Sequence, residues 1–212
     1  MKNFIMIGGG DLGREATWIF ERMNANNPMY KHIGFVDDGY KDLGDTVDGY
    51  PVLGPVDYLL DIKEPTAICC SINNGRVKEK IMNKVLQNKF LEPINIIDPT
   101  VIIGRDTTIG TGCIFSVNVV ISINCTIGDN VVLNIACDLG HDDVMGNNVT
   151  ISPGCRISGH CTIGESSYIG TGASIVQGKT ICSDVTLGAG AVLAKDIDEP
   201  GTYVGVPVKK IK

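Results

Sequence analysis

From Ile103 to Leu193 the chain sets one large apolar residue at every sixth position: Ile103, Ile109, Phe115, Ile121, Ile127, Leu133, Leu139, Met145, Ile151, Ile157, Ile163, Ile169, Ile175, Ile181, Leu187 and Leu193. An α-helix repeats at 3.6 residues and a strand alternates at two, so a period of six belongs to neither. It predicts short strands that turn a corner after each hexapeptide, three hexapeptides closing one triangular coil with the anchors inside. Such coils stack at the strand spacing of about 4.8 Å. The residue after the anchor is small almost throughout (Gly104, Gly110, Ser116, Ser122, Gly128, Gly140), as a tight corner requires. The slot four after the anchor also faces inward and holds small or β-branched residues such as Thr107, Cys113, Val119, Cys125 and Val131. Asp143 and Lys179 break that column. An unpaired carboxylate inside the prism is costly, so Asp143 is expected to be protonated, hydrogen-bonded locally, or released by a distorted corner. Lys179 marks a loosened corner or a snorkelling side chain.

The first ninety residues lack this period and read as α/β. Asn3 to Ile7 is an apolar strand, and Arg14 to Asn24 is a helix with Ala16, Ile19, Phe20 and Met23 on one face. His32 to Asp38 and Thr66 to Ser71 read as further strands, and Gly75 to Lys89 as a second helix. Strand–helix–strand order with short links implies a small parallel sheet. The expected organisation is an α/β, Rossmann-like domain over 1–92, a solenoid over 93–195 and a closing tail over 196–212 that turns back along the prism. Glu92 to Thr100, with Pro93 and Pro99, reads as the link between the first two.

A net charge of −6 argues against a general nucleic-acid binder. No apolar run has signal-peptide or membrane-spanning length, and a cytoplasmic protein without membrane or nucleic-acid partners is the expectation. Five of the eight cysteines (Cys113, Cys125, Cys137, Cys155, Cys161) occupy the small inward slot, and no C-x-x-C pair exists. The cysteines read as compact hydrophobes rather than metal or redox centres.

Candidate chemistry falls in two places. Gly8, Gly10 and Gly13 form a G-x-G-x-x-G run between the first strand and the first helix, and Asp37 or Asp38 supplies an acid on the second strand. A sheet of ninety residues is too small for a full dinucleotide fold, which leaves a mononucleotide or sugar-nucleotide subsite or a purely structural turn. The second place is the solenoid corner at His141, two positions after anchor Leu139 and therefore pointing outward. One coil of eighteen residues further on lies Gly159, which leaves space beside the imidazole. An imidazole there can take a proton from an attacking amine or hydroxyl, and Asp142 can fix its tautomer. The competing reading is a solvated corner histidine. His160 lies near the same edge without an adjacent acid, and His32 reads as a surface residue.

The α/β domain, the I-I-D-P-T link at Ile96 to Thr100, the hexapeptide solenoid, the D-L-G-H-D-D stretch at Asp138 to Asp143 and the closing G-V-P-V-K at Gly205 to Lys209 together resemble the bacterial sugar O- and N-acyltransferases. The resemblance implies a left-handed parallel β-helix and an acetyl-CoA-dependent transferase without metal. It implies an amino sugar as acceptor, expected to be nucleotide-linked in the manner of surface-polysaccharide synthesis; a sialic-acid-type O-acetyltransferase and a non-catalytic nucleotide-sugar scaffold are the alternatives. On this likeness His141 is the general base and Asp142 its partner. Thr150, Gly159, Thr171 and Ala189 lie along the acetyl-CoA groove. Gly8, Gly10, Gly13, Arg14, Asp37, Asp38 and Asn134 serve the acceptor. A homotrimer shares each site between two chains. Leu12 and Thr150 stand where relatives carry histidines, which sets this chain apart at the nucleotide loop and near the thioester.

Overall fold

The computed structural model describes residues 1–25 and 27–212. The N-terminal part alternates strand and helix: β1 (Lys2–Ile7), α1 (Asp11–Ala25), β2 (Tyr30–Val36), α2 (Tyr40–Leu43), β3 (Thr46–Val47), β4 (Tyr50–Gly54), β5 (Thr66–Cys70), α3 (Gly75–Val85) and β6 (Leu91–Pro93). The sheet order is β3-β4-β2-β1-β5-β6, parallel except where β3 meets β4. Both faces of β1 are covered, which explains its unbroken apolar run. Phe4 and Met6 pack with Ala16, Ile19 and Phe20 of α1, while Ile5 and Ile7 pack with Met82 and Val85 of α3. The chain leaves β1 first toward β2 and later returns to β5 on its other side. The loop Gly8–Gly10 therefore sits at the carboxyl end of β1 at a topological switch point, where α/β sheets open a ligand crevice. β3 and β4 were not legible, because Gly44, Asp45, Asp48, Gly49 and Pro51 interrupt their short apolar runs.

His32 is not a surface residue. Its ring is buried among Phe4, Phe20, Phe35 and Tyr50, with Nε2 donating to the Gly34 carbonyl at 3.1 Å. Burial pushes its pKa down to about 4, so it is neutral at physiological pH and serves packing.

From Ile96 onward the chain winds as a parallel β-helix of three sheets built from two-residue strands. Each strand pairs with the one eighteen residues on: Ile114 with Val132, Val120 with Asp138, Thr126 with Val144. The anchors from Phe115 to Leu193 are buried in one continuous core. The first two depart from expectation: Ile103 is 41% exposed and Ile109 is half-buried, because no coil lies beneath them. The link residues are themselves structured, with Glu92 and Pro93 in β6 and Ile96–Ile97 forming the first solenoid strand. The tail also differs in part. Ile197 fills the inward slot, and Gly201–Val204 adds another parallel strand beside Val185–Leu187. Only Lys209–Lys210 runs back, antiparallel to it.

The α/β part sits on one of the three prism faces. The outward column of that face reads Ile96, Ile114, Val132, Thr150, Tyr168, Thr186. Its first three members join the core of Phe4, Leu12 and Ala16, and Thr150 Oγ1 donates to the Asn73 carbonyl at 3.1 Å. Two ion pairs tie the parts together. Arg22 of α1 reaches the buried Asp98 (2.5 Å), and Arg76 of α3 holds Asp184 through two bonds of 2.6 Å. Burial opposes ionisation of Asp98, but bonds from Arg22 and Thr100 outweigh it and hold the carboxyl below its ordinary range.

Candidate active site

The corner at Gly140–Asp143 lies on the prism edge opposite the face that carries the α/β part. Backbone bonds to the next coil stay regular through it: Gly140 N–H donates to the Ile157 carbonyl and Val144 N–H to the Cys161 carbonyl, both at 2.8 Å. Asp142 takes a left-handed backbone with φ of 61°, which turns the chain and leaves His141 displayed. The imidazole is half-exposed, and its Nδ1–H donates to Asp142 Oδ2 at 2.6 Å. The other carboxylate oxygen, Oδ1, accepts from Asn124 Nδ2 one coil below. Bonds from His141 and then Asn124 hold the Asp142 carboxyl below its ordinary range, so it is ionised at neutral pH. With the proton on Nδ1, the lone pair is on Nε2.

Gly159 stacks on His141 where the spacing places it, and the imidazole itself occupies the room that the missing side chain leaves. A Cβ there would stand 2.7 Å from His141 Nε2 and 2.8 Å from Cε1, so only glycine leaves the ring in place. His160, which follows, does have an acidic neighbour: its Nε2 lies 3.6 Å from Asp142 Oδ2, and its ring meets that of His141 edge-on at 4.8 Å. The acid is adjacent in space through the stacking, not in sequence. Adding eighteen to Asp142 gives His160, and subtracting eighteen gives Asn124, so the repeat carried the signal for both.

Asp143 remains inside the prism, 1% exposed, in an undistorted corner. Its Oδ1 accepts the Cys161 N–H at 2.8 Å, and Oδ2 has no partner among the described residues. Burial, partly offset by that bond, pushes its pKa up to about 7. Local bonding and a raised pKa thus act together. Lys179 is half-buried, and its carbonyl still accepts the Thr162 N–H at 2.9 Å, so the coil is not loosened there.

The other residues singled out from sequence are dispersed. Thr171 and Ala189 are at the next edge of the prism, across one face from Gly159. Thr150 is buried on the covered face beneath Asn73, away from the His141 edge. Asn134 is buried as well and donates to the Ile151 carbonyl at 3.0 Å. In the α/β part, Gly8 has φ of 99°, and a Cβ on Gly13 would lie 2.1 Å from the Gly8 carbonyl oxygen, so both glycines serve the close turn from β1 into α1. Gly10 faces open space. Asp37 accepts from the Gly9 and Gly39 N–H groups at 2.8 and 2.7 Å, and Asp38 from Val56 N–H at 3.0 Å. Arg14 pairs with Asp48 at 3.1 Å beside a cavity of about 350 Å³ that Gly9, Gly10 and Leu43 also line. Leu12 is buried in the core and does not face this cavity. The crevice and the His141 corner of one chain lie on opposite sides of the prism. Seven of the eight cysteines are buried, and none of the described helices is long and apolar enough to cross a membrane.

Comparison with known proteins agrees with this architecture. Residues 3–85 match the PglD N-terminal domain, and residues 144–177 match the bacterial transferase hexapeptide of six repeats. The acetyltransferase domain of PglB from Neisseria gonorrhoeae FA1090 is 30% identical and superposes with a TM-score of 0.92, each chain covered completely. That domain has also been solved in complex with acetyl coenzyme A. WeeI from Acinetobacter baumannii AYE is 27% identical with a TM-score of 0.89, again over the whole of both chains. PerB from Caulobacter crescentus, solved with CoA and GDP-perosamine, shares the fold at 24% identity and a TM-score of 0.88 over 100% of this chain and 98% of its own. None of the curated proteins compared matches the chain. A PglD-type domain on a left-handed hexapeptide β-helix, with a 30%-identical relative matched from end to end, places the chain in the family of bacterial hexapeptide-repeat sugar acyltransferases, and it is an acetyltransferase.

Proposed function

We propose that the enzyme moves the acetyl group of acetyl-CoA onto the amino group of a nucleotide-linked amino sugar, with His141 as general base. The observation that carries this reading is the His141–Asp142 pair. Nδ1–H is fixed on an ionised carboxylate, which leaves the Nε2 lone pair beside the side-chain-free Gly159. The acceptor nitrogen attacks the thioester carbonyl and gives up a proton to Nε2. Collapse of the tetrahedral adduct expels the CoA sulfur, which takes that proton from the imidazolium. Asp142 orients the ring and stabilises its charged form. No covalent enzyme intermediate is required.

The nucleotide is assigned to the crevice at the end of β1, with Gly10 open to it and Arg14 as the nearby cation. Asp37 and Asp38 brace its loops through backbone N–H groups. Because that crevice lies across the prism from the His141 of the same chain, a complete site calls for a second copy, in keeping with a homotrimer whose sites fall between subunits. The acetyl-CoA complex of the Neisseria relative supports the choice of acyl donor.

The test supplies the protein with acetyl-CoA and a panel of nucleotide-linked amino sugars, the same amino sugars without nucleotide, and free sialic acid, reading acetylated product by mass. The nucleotide-linked amines are expected to turn over fastest, since remote binding energy from the nucleotide is used at the reacting centre. Preferential acetylation of the sialic acid hydroxyl, or no turnover of any acceptor, would overturn it.

A further inference from the structure

We propose that His141, Asp142 and His160 form a site for a divalent transition-metal ion, and that occupancy switches the transferase off. One ligand atom from each residue lies within 4.8 Å of the others. Asp142 Oδ2 is 2.6 Å from His141 Nδ1 and 3.6 Å from His160 Nε2. Metal–nitrogen and metal–oxygen bonds of about 2.0–2.2 Å set tetrahedral ligand edges near ~3.4 Å. The three atoms reach that spacing by side-chain rotation, for which their exposure leaves room: 45% for His141, 31% for Asp142 and 56% for His160. The backbone beneath them is pinned by the His160 N–H bond to the His141 carbonyl at 2.8 Å. Asn124 holds the non-ligating oxygen of Asp142, the kind of outer contact that orients a carboxylate ligand. Two imidazoles and a carboxylate suit zinc, copper or nickel and discriminate against magnesium and calcium, which prefer all-oxygen sites.

The consequence for turnover rests on the His141 base; the site itself does not. An ion on Nδ1 takes the position of the proton donated to Asp142. The neutral imidazole then carries its single proton on Nε2, the atom that must accept from the substrate amine. The metal thus exchanges one tautomer for the other and removes the lone pair the reaction uses.

Cobalt(II) chloride titrated into the full-length enzyme reports binding through its visible absorption, and zinc chloride competes it away; a parallel series measures acetylated product against zinc concentration. Each protein is referred to its own metal-free rate. The wild type is expected to show a nitrogen-ligated cobalt band and loss of turnover with zinc, while magnesium chloride does neither. His160→Ala is expected to lose the band and to raise the half-inhibiting zinc concentration at least about tenfold, no less than the loss of an outer-sphere partner costs. His160→Gln serves the same end should the alanine variant fold poorly. Equal cobalt spectra and equal zinc sensitivity in the wild type and both variants overturn the proposal, since they move the metal to another group such as the Cys182 thiol. Absence of any cobalt band in the wild type overturns it too. If no acceptor is turned over, the acceptor reading and the off-switch that rests on it fail together, while the cobalt titration still decides the metal site.

Discussion

Gly159→Ala probes how closely His141, the proposed base, is held. The added methyl would sit 2.7 Å from His141 Nε2, 2.8 Å from Cε1 and 2.8 Å from the His141 carbonyl oxygen. Ordinary contact begins at about 3.5 Å, so the ring must retreat by roughly 0.8 Å, away from where the proposed mechanism brings the acceptor amine to Nε2. Misplacement of a catalytic group by 1 Å costs on the order of 100-fold in rate, and a fall of about that size in kcat is expected. The crowded carbonyl is backbone and gives way less easily than the ring, which is half-exposed and can swing outward. The fold should therefore lose about 1 kcal/mol, the low end of overpacking costs, or about 2–4 °C in Tm for a chain of this size. Steady-state kinetics with the best acceptor, alongside thermal melts, separates the two effects. A variant with wild-type kcat would refute the reasoning, because the imidazole could not then rest against Gly159 during turnover.

Two buried ionisable groups give opposite pH signatures. Lys78 of α3 is fully buried with no partner for Nζ among the described residues, and burial pushes its pKa down to about 8. The Cys70 and Cys113 thiols beside it are pushed up to about 11 and 12 by burial, so they offer no charge at neutral pH. Between pH 8 and 10.5 the unfolded chain binds the extra proton, and stability rises with pH across that window. Lys78→Met should stabilise the protein at pH 7 by up to about 3 kcal/mol and flatten that rise in urea melts; destabilisation at pH 7 would contradict this. Asp143 has the opposite sense: its folded pKa is raised, so its contribution is present below about pH 4 and lost as pH climbs through about 7. Asp143→Asn keeps the acceptor for Cys161 N–H, and its Tm advantage over wild type should grow from pH 5 to pH 8. An advantage independent of pH would show that Asp143 does not titrate there.

The solenoid was legible because its signal is arithmetic: a six-residue period fixes which side chains enter the prism, and eighteen residues fix which ones stack. Gly159 beside His141 followed from that sum. Asn124 and His160 at Asp142 obey the same sum, yet neither is next to an acid in the sequence, since both contacts come from neighbouring coils. His32 was misjudged because one polar residue before an apolar strand carries no sign of the aromatic rings that close over it from α1 and β4. The seat of the α/β part was written in the outward column Ile96, Ile114, Val132, apolar where a sheet face would otherwise meet water. The ion pairs Arg22–Asp98 and Arg76–Asp184 left no such trace, since they join residues 76 and 108 positions apart. The crevice at the end of β1 was half legible. Glycine spacing marked the turn, while the use of Asp37 and Asp38 as backbone braces depends on loops whose course short-range patterns do not set.

The account stands on an imidazole that removes a proton during acetyl transfer, and His141→Ala tests it most directly. With a nucleotide-linked amino sugar as acceptor, kcat should fall by about two to four orders of magnitude, while KM for acetyl-CoA and the melting temperature change little. Wild-type turnover by that variant would contradict the central claim.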